Sequence, residues 1–195
     1  MIAEPAPAKN RPVVTKAREL KIKVERLMMV LKRILSASHG KYDLQRAFED
    51  ITTTLMTLVP HEAAVMMSWE DRQQNACVET FTPDDLDMKA GRYLPASSLI
   101  IEMCRGNLGT AICVDTAYSP DSLERILAAN GIHSCITVPL NLQGETKYLL
   151  TLGASDVGTF DNYDAALLKK LAPHVAGCLK QIWPPAEPAQ ARALA

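Results

Sequence analysis

The stretch Gly131-Ile132-His133-Ser134-Cys135-Ile136-Thr137-Val138-Pro139-Leu140 is followed by a turn glycine, Gly144, then Leu149-Leu150-Thr151-Leu152-Gly153, Phe160 and a patterned run from 165 to 182. Strand-forming residues fill the first two segments and a glycine separates them, which predicts adjacent strands over 132–142 and 145–154. In the third segment Leu168, Leu171, Val175, Leu179 and Ile182 recur at steps of three and four, the period of a helix with one buried face. Asp161 is placed to cap that helix, with Asp164 three residues on, where a carboxylate also suits the helix dipole. Pro173 falls inside it, removes one backbone hydrogen bond at roughly 3 kcal/mol in a regular interior, and predicts a kink.

Working upstream, Leu44, Phe48, Ile51, Leu55 and Leu58 repeat the 4, 3 spacing on a second helix, with Asp43 as its N-cap and Pro60 as its stop. Residues 63–69 and 75–82 are rich in strand formers and read as a hairpin. A polar loop over 83–95, a short helix over 96–105, a strand over 110–115 and a helix over 120–130 ended by Gly131 complete the order. That order predicts an α+β fold: an antiparallel sheet with long helices on one face and short helices and loops on the other. With 195 residues and 48% hydrophobic content the chain can fill one good core, and a second full domain would be cramped. The expected organisation is a flexible N-terminus over 1–10, a signalling or dimerisation helix over 11–37, a domain over 42–183 and a flexible Pro/Ala-rich tail over 184–195.

Charge is distributed unevenly. From Lys9 to Arg33 nine basic residues face two acidic ones, a local charge of +7 that leaves −8 elsewhere in a chain of net charge −1. Along the same stretch Val13, Ala17, Leu20, Val24, Leu27, Leu31 and Ile34 form an unbroken heptad seam. Two readings suit it: pairing with the same helix of a second copy, expected to give a parallel homodimer, or packing on the chain's own domain with the lysines on the wet face. No aromatic or Gly-rich element interleaves the positive charges, which disfavours direct nucleic-acid binding. No run approaches the roughly 18 uncharged apolar residues that span a bilayer, and the N-terminus lacks the order of a secretory signal, so no membrane partner and a cytoplasmic location are expected. Five cysteines without paired spacing fit reduced thiols better than a disulfide framework.

Strand alternation puts Ile132, Ser134, Ile136 and Val138 on one face, and His133, Cys135, Thr137 and Pro139 on the other. The apolar set should meet the long helices. The mixed set then walls a pocket: His133, Cys135 and Thr137, joined by Cys113 and Asp115 from the preceding strand and by Thr151 from the next. A His, two Cys and an Asp are donors suited to zinc or non-haem iron, with His133 and Cys135 the central metal candidates. The plainer expectation is no cofactor, with a half-buried His beside an ordinary strand Cys. His39, His61 and His174 read as linker, packing or surface residues. There is no P-loop, GxGxxG, HExxH, paired-carboxylate motif or serine nucleophile elbow, so no catalytic residue is assigned.

Val138-Pro139-Leu140 before the Gly144 turn, the second strand and the closing helix together resemble the C-terminal half of a GAF domain, and the resemblance extends over 42–183. It implies a small-molecule-sensing module whose second sheet face encloses a ligand pocket, acting through a helical homodimer on a transcriptional or kinase output domain or partner. Tyr148 departs from the glycine often found at that position. The His133-x-Cys135 pair also resembles the iron-containing GAF sensor of nitric-oxide-responsive, sigma-54-dependent activators, a match that reaches Asp121 loosely and departs at Gly153, where that group has Asp. Two alternatives stand beside the sensor. One is a thiol-dependent, methionine sulfoxide reductase-like enzyme using Cys113 or Cys135, although the Gly-rich approach and acidic pocket motifs of that group are missing. The other is a structural dimerisation domain whose pocket is filled by Tyr148 and the Val65-Met66-Met67 strand.

Overall fold

The computed structural model describes residues 11–37, 43–70, 73–106 and 109–182, with the backbone alone for 11–15 and 37. The elements run α1 (Arg11–Ala37), α2 (Leu44–Leu55), β1 (Ala63–Glu70), β2 (Asn75–Thr82), β3 (Tyr93–Pro95), α3 (Ser98–Cys104), β4 (Ala111–Cys113), a 3-10 turn (Thr116–Tyr118), α4 (Ser122–Ala129), β5 (Ser134–Leu142), β6 (Glu145–Ala154) and α5 (Asn162–Ile182). The strands form one antiparallel sheet in the order β3-β2-β1-β6-β5-β4. Local chemistry sets the ends of these elements. Asp43 accepts the Arg46 amide at 2.8 Å to start α2, Ser97 accepts the Ile100 amide at 3.4 Å to start α3, and Asp161 accepts the amides of Tyr163 and Asp164 to start α5. Gln143 and Gly144 both have positive φ, the requirement of a tight two-residue turn between β5 and β6.

Strand alternation then builds a core on each side of the sheet. Ile136, Val138, Leu140 and Leu142 from β5 and Tyr148, Leu150 and Leu152 from β6 face the layer of α1, α2 and α5. Val65, Met67, Ala76, Val78, Cys135 and Leu149 face the opposite layer, made by α3, α4 and the loop carrying Leu86 and Met88. Tyr148 is fully buried among the long helices, so it does not fill the side on which a pocket was expected. Its neighbours in sequence behave by parity: Met66 lies with the long helices, Val65 and Met67 on the other side.

Ile132 overturns one expectation. It packs in the second core rather than against the long helices, because β5 begins at Ser134 and the two residues before it lie outside the alternating ladder. His133 is half-buried in this approach segment, its amide donating to Ala154 O at 2.8 Å and its carbonyl accepting from Thr116 N at 2.9 Å.

The heptad seam of α1 is also divided. Leu27, Leu31 and Ile34 are 0%, 4% and 0% exposed and belong to the chain's own core, Leu20 and Val24 are half-covered by it, and Ala17 is exposed. The Cys178 thiol of α5 donates to Leu31 O at 3.8 Å, and Arg33 pairs with Asp50 of α2 at 2.9 Å. The expectation that the whole seam faces a second copy is therefore corrected: its C-terminal half is occupied within the monomer, and a surface already buried cannot also be an interface. Val13 contributes backbone only to the described residues, and the Ser38-His39-Gly40 break lies outside them. Among the described residues no helix is long and apolar enough to cross a membrane. α5 continues through Pro173, whose ring sits on its exposed side while Leu168, Leu171, Val175 and Leu179 hold the other side in the core.

Candidate functional site

On the second face, β4 pairs with β5 so that Cys113 stands directly opposite Cys135. Above them lies the first turn of α4. Asp121 caps that turn by accepting the amides of Leu123 at 2.9 Å and Glu124 at 3.3 Å, and Leu123 and Leu127 anchor the helix in the second core. That anchoring carries Glu124 inward to 9% exposure, where its Oε1 accepts from the Cys135 thiol at 3.8 Å. The two sulfurs and a Glu124 oxygen lie within 4.8 Å of one another. Among the described residues this is the one group of three or more such donor side chains.

Cys135 is 1% exposed, while Cys113 is half-buried and gives the cluster its more open side. The hydrogen bond with the Cys113 thiol, burial, and the nearby Glu124 charge all push the Cys135 thiol pKa far up. Each cause opposes a thiolate, so Cys135 is held as a neutral thiol in the unliganded protein.

A small cavity adjoins the cluster. Glu124, Asp121 and Thr137 supply its polar wall, and Met67, Leu94, Ile100 and Leu123 are among its apolar residues. Its volume of about 10 Å³ admits roughly one water, so a larger occupant needs α3 or the β3 segment to move outward.

The residues singled out in the sequence fall into three groups. Cys113 and Cys135 come together, joined by Glu124. Thr137 and Thr151 are cross-strand partners that share a hydrogen bond at 2.8 Å, both buried, with Thr137 on the cavity wall. Asp115 and His133 are not part of the donor group: the Asp115 carboxylate accepts the Ala117 amide at 3.0 Å and caps the 3-10 turn, and His133 stands in the approach segment to β5, tied by its backbone to Ala154 and Thr116. A metal set of His133, Cys135, Cys113 and Asp115 is therefore not assembled. Glu124 escaped the sequence reading because a glutamate three residues after Asp121 is what a helix start ordinarily carries. Only the packing of Leu123 and Leu127 turns it inward.

Gly153 lies opposite Cys135 in the β5–β6 ladder. A Cβ there would stand 2.5 Å from Ile132 Cγ2, so no side chain fits unless Ile132 gives way. The absence of an aspartate at this position, the departure noted in the sequence, thus has a packing reason.

A family model described as GAF domain matches residues 42–180. Among solved structures, a free methionine-R-sulfoxide reductase from Neisseria meningitidis, determined with its substrate, superposes with a TM-score of 0.59 at 18% identity, covering 93% of this chain and 98% of that one. The phycoerythrobilin-bound GAF domain of a cyanobacterial phytochrome gives 0.60 at 16% identity, covering 82% and 97%. The GAF domain of a phosphoenolpyruvate-protein phosphotransferase from Coxiella burnetii gives 0.57 at 17% identity, covering 87% and 96%. At these identities the likeness is one of fold. The sequence has no significant match among curated proteins.

Proposed function

Because this chain belongs to the GAF domain family, whose members are typically sensory or regulatory, we propose that it binds a small molecule on the second face of its sheet and passes the occupancy through α1 and α5 to an output domain or partner protein. The observation that carries this reading is the asymmetry of the two faces. One face is sealed by three long helices, while the other is closed by short elements over a cavity with an acidic wall. A ligand entering there displaces α3 or β3 without unpacking the long helices.

In this reading the protein works as a homodimer. The N-terminal part of the α1 seam, through exposed Ala17 and the uncovered sides of half-buried Leu20 and Val24, meets its copy, while Leu27, Leu31 and Ile34 stay in the monomer core. A ligand acts only through different affinity for two arrangements, and moving a balance from 1:99 to 99:1 takes about 5.5 kcal/mol of differential binding. Five cysteines, none of them joined in a disulfide, suit a reducing, cytoplasmic setting.

The test begins with a thermal-shift screen for a stabilising ligand, followed by spin-label distances between the exposed ends of α1 and α5 with and without it. Distances that ignore the ligand sink the proposal. So does turnover of a methionine sulfoxide by the isolated chain, abolished by Cys113→Ser or Cys135→Ser, which would replace the sensor with a thiol enzyme. The upward push on the Cys135 pKa weighs against Cys135 as the nucleophile of such an enzyme, since a nucleophilic cysteine acts as thiolate.

A further inference from the structure

We propose that Cys113, Cys135 and Glu124 form a binding site for a thiophilic divalent cation of the zinc class, with a fourth position open toward the cavity beside Glu124. The donor set of two sulfurs and one carboxylate is the borderline-soft mixture that zinc and cadmium take, and three protein ligands plus an open position is the arrangement of an exchangeable rather than a sealed site. With metal–sulfur bonds of about 2.3 Å and metal–oxygen bonds of about 2.0 Å, tetrahedral coordination needs sulfur–oxygen separations of about 3.5 Å. Cys135 Sγ and Glu124 Oε1 already stand 3.8 Å apart, and no pair of ligand atoms exceeds 4.8 Å. Closing on a metal therefore takes adjustments within rotamer reach.

Two further observations point the same way. Glu124 is nine-tenths buried, yet none of the ion pairs among the described residues includes it. A buried carboxylate stabilised by a cation is the ordinary way such a charge is retained. The supporting elements are also set before metal arrives: the two cysteines are paired in register on adjacent strands, and Asp121 fixes the α4 turn that presents Glu124. Half-exposed Cys113 supplies the path of entry.

Charge balance follows directly. One M2+ replaces the two thiol protons and joins the glutamate carboxylate, giving a site of net charge −1 and releasing two protons to the buffer, with no change in oxidation state. The inference uses the cluster alone, so it stands or falls separately from the small-molecule reading.

The experiment uses the full chain, reduced and stripped with chelator, then titrated with Cd2+. Expected are one metal per chain, the ultraviolet thiolate-to-cadmium charge-transfer band, and about two protons released per metal at neutral pH. The band is lost in Cys135→Ser and in Cys113→Ser; the latter, at the less buried position, decides the matter if the former does not fold. Glu124→Gln weakens binding by roughly tenfold or more, while His133→Ala leaves it unchanged. Absence of the band in the reduced parent, or binding unmoved by Cys113→Ser, overturns the site. So does binding that Glu124→Gln leaves intact and His133→Ala abolishes. A reduced chain that refuses Cd2+ but closes a Cys113–Cys135 disulfide with peroxide overturns it in favour of a redox pair.

Discussion

A methyl group on Gly153 would lie 2.5 Å from Cγ2 of Ile132, closer than real Cβ atoms approach one another's neighbours, and 3.5 Å from the Cβ of Ala63. The glycine is therefore held by packing, its φ being unremarkable. Gly153→Ala is expected to destabilise the fold by about 1–3 kcal/mol, the usual cost of overpacking a tight site. Combining it with Ile132→Ala should cost less than the sum of the two, because the second change removes the atom with which the new methyl collides. Urea unfolding of the two single variants and the double variant checks this, and strict additivity would remove Ile132 as the cause.

Leu27 and Ile34 are completely buried in the monomer, whereas Ala17, on the same seam, is exposed. Leu27→Ala and Ile34→Ala should each lower stability by about 2–5 kcal/mol. If the monomer core is the reason, that loss persists in dilute samples. Ala17→Glu should leave monomer stability nearly unchanged and alter only self-association. Unfolding midpoints at two protein concentrations, with sedimentation, separate the two effects.

Thr137 and Thr151 satisfy one another across β5 and β6. Replacing either alone by Val leaves a buried hydroxyl without its partner, at about 1–3 kcal/mol, while replacing both removes the orphan and recovers much of the loss. A double-mutant cycle by chemical denaturation reads the coupling. Near-zero coupling would mean each hydroxyl has an equivalent partner elsewhere.

His61 is 5% exposed, with Nδ1 2.7 Å from Val59 O and Nε2 without a hydrogen-bond partner. Burial lowers its pKa from the ordinary 6.5, only partly opposed by the Val59 carbonyl and Glu62. As pH falls below 6.5 the unfolded chain takes up this proton before the folded one does. Stability therefore drops from that point until the folded-state pKa has been passed. His61→Gln should flatten this part of the profile between about pH 7 and pH 5, measured by urea midpoints. An unchanged slope would assign it to other groups.

Much of this architecture was legible because its signals were local. β2 and β6 occupy the predicted spans, and Asp43, Asp161 and Gly131 mark helix ends as their chemistry requires. What escaped depended on partners distant in sequence. The heptad of α1 reports a buried stripe but not whose surface buries it, and the answer for Leu31 lies with α5, 147 residues away at Cys178. The start of β5 was placed two residues early, since His133 forms backbone hydrogen bonds like a strand residue while Ile132 has already left the alternation. Periodicity brought Cys113 and Cys135 to one face; Glu124 became visible only when α4 was seated over them.

β4 has three residues and a single neighbour, since the sheet order ends with it. Cys113 consequently rides on a short edge strand held by one ladder, whereas Cys135 is clamped between two. A pair joined at one fixed and one releasable sulfur behaves like a latch on a door frame: whatever ties or frees Cys113 stiffens or loosens the sheet's border while β1, β6 and β5 continue to carry the helices. Chemistry at these thiols should thus register first as altered amide exchange in residues 111–113, long before any change in the central strands.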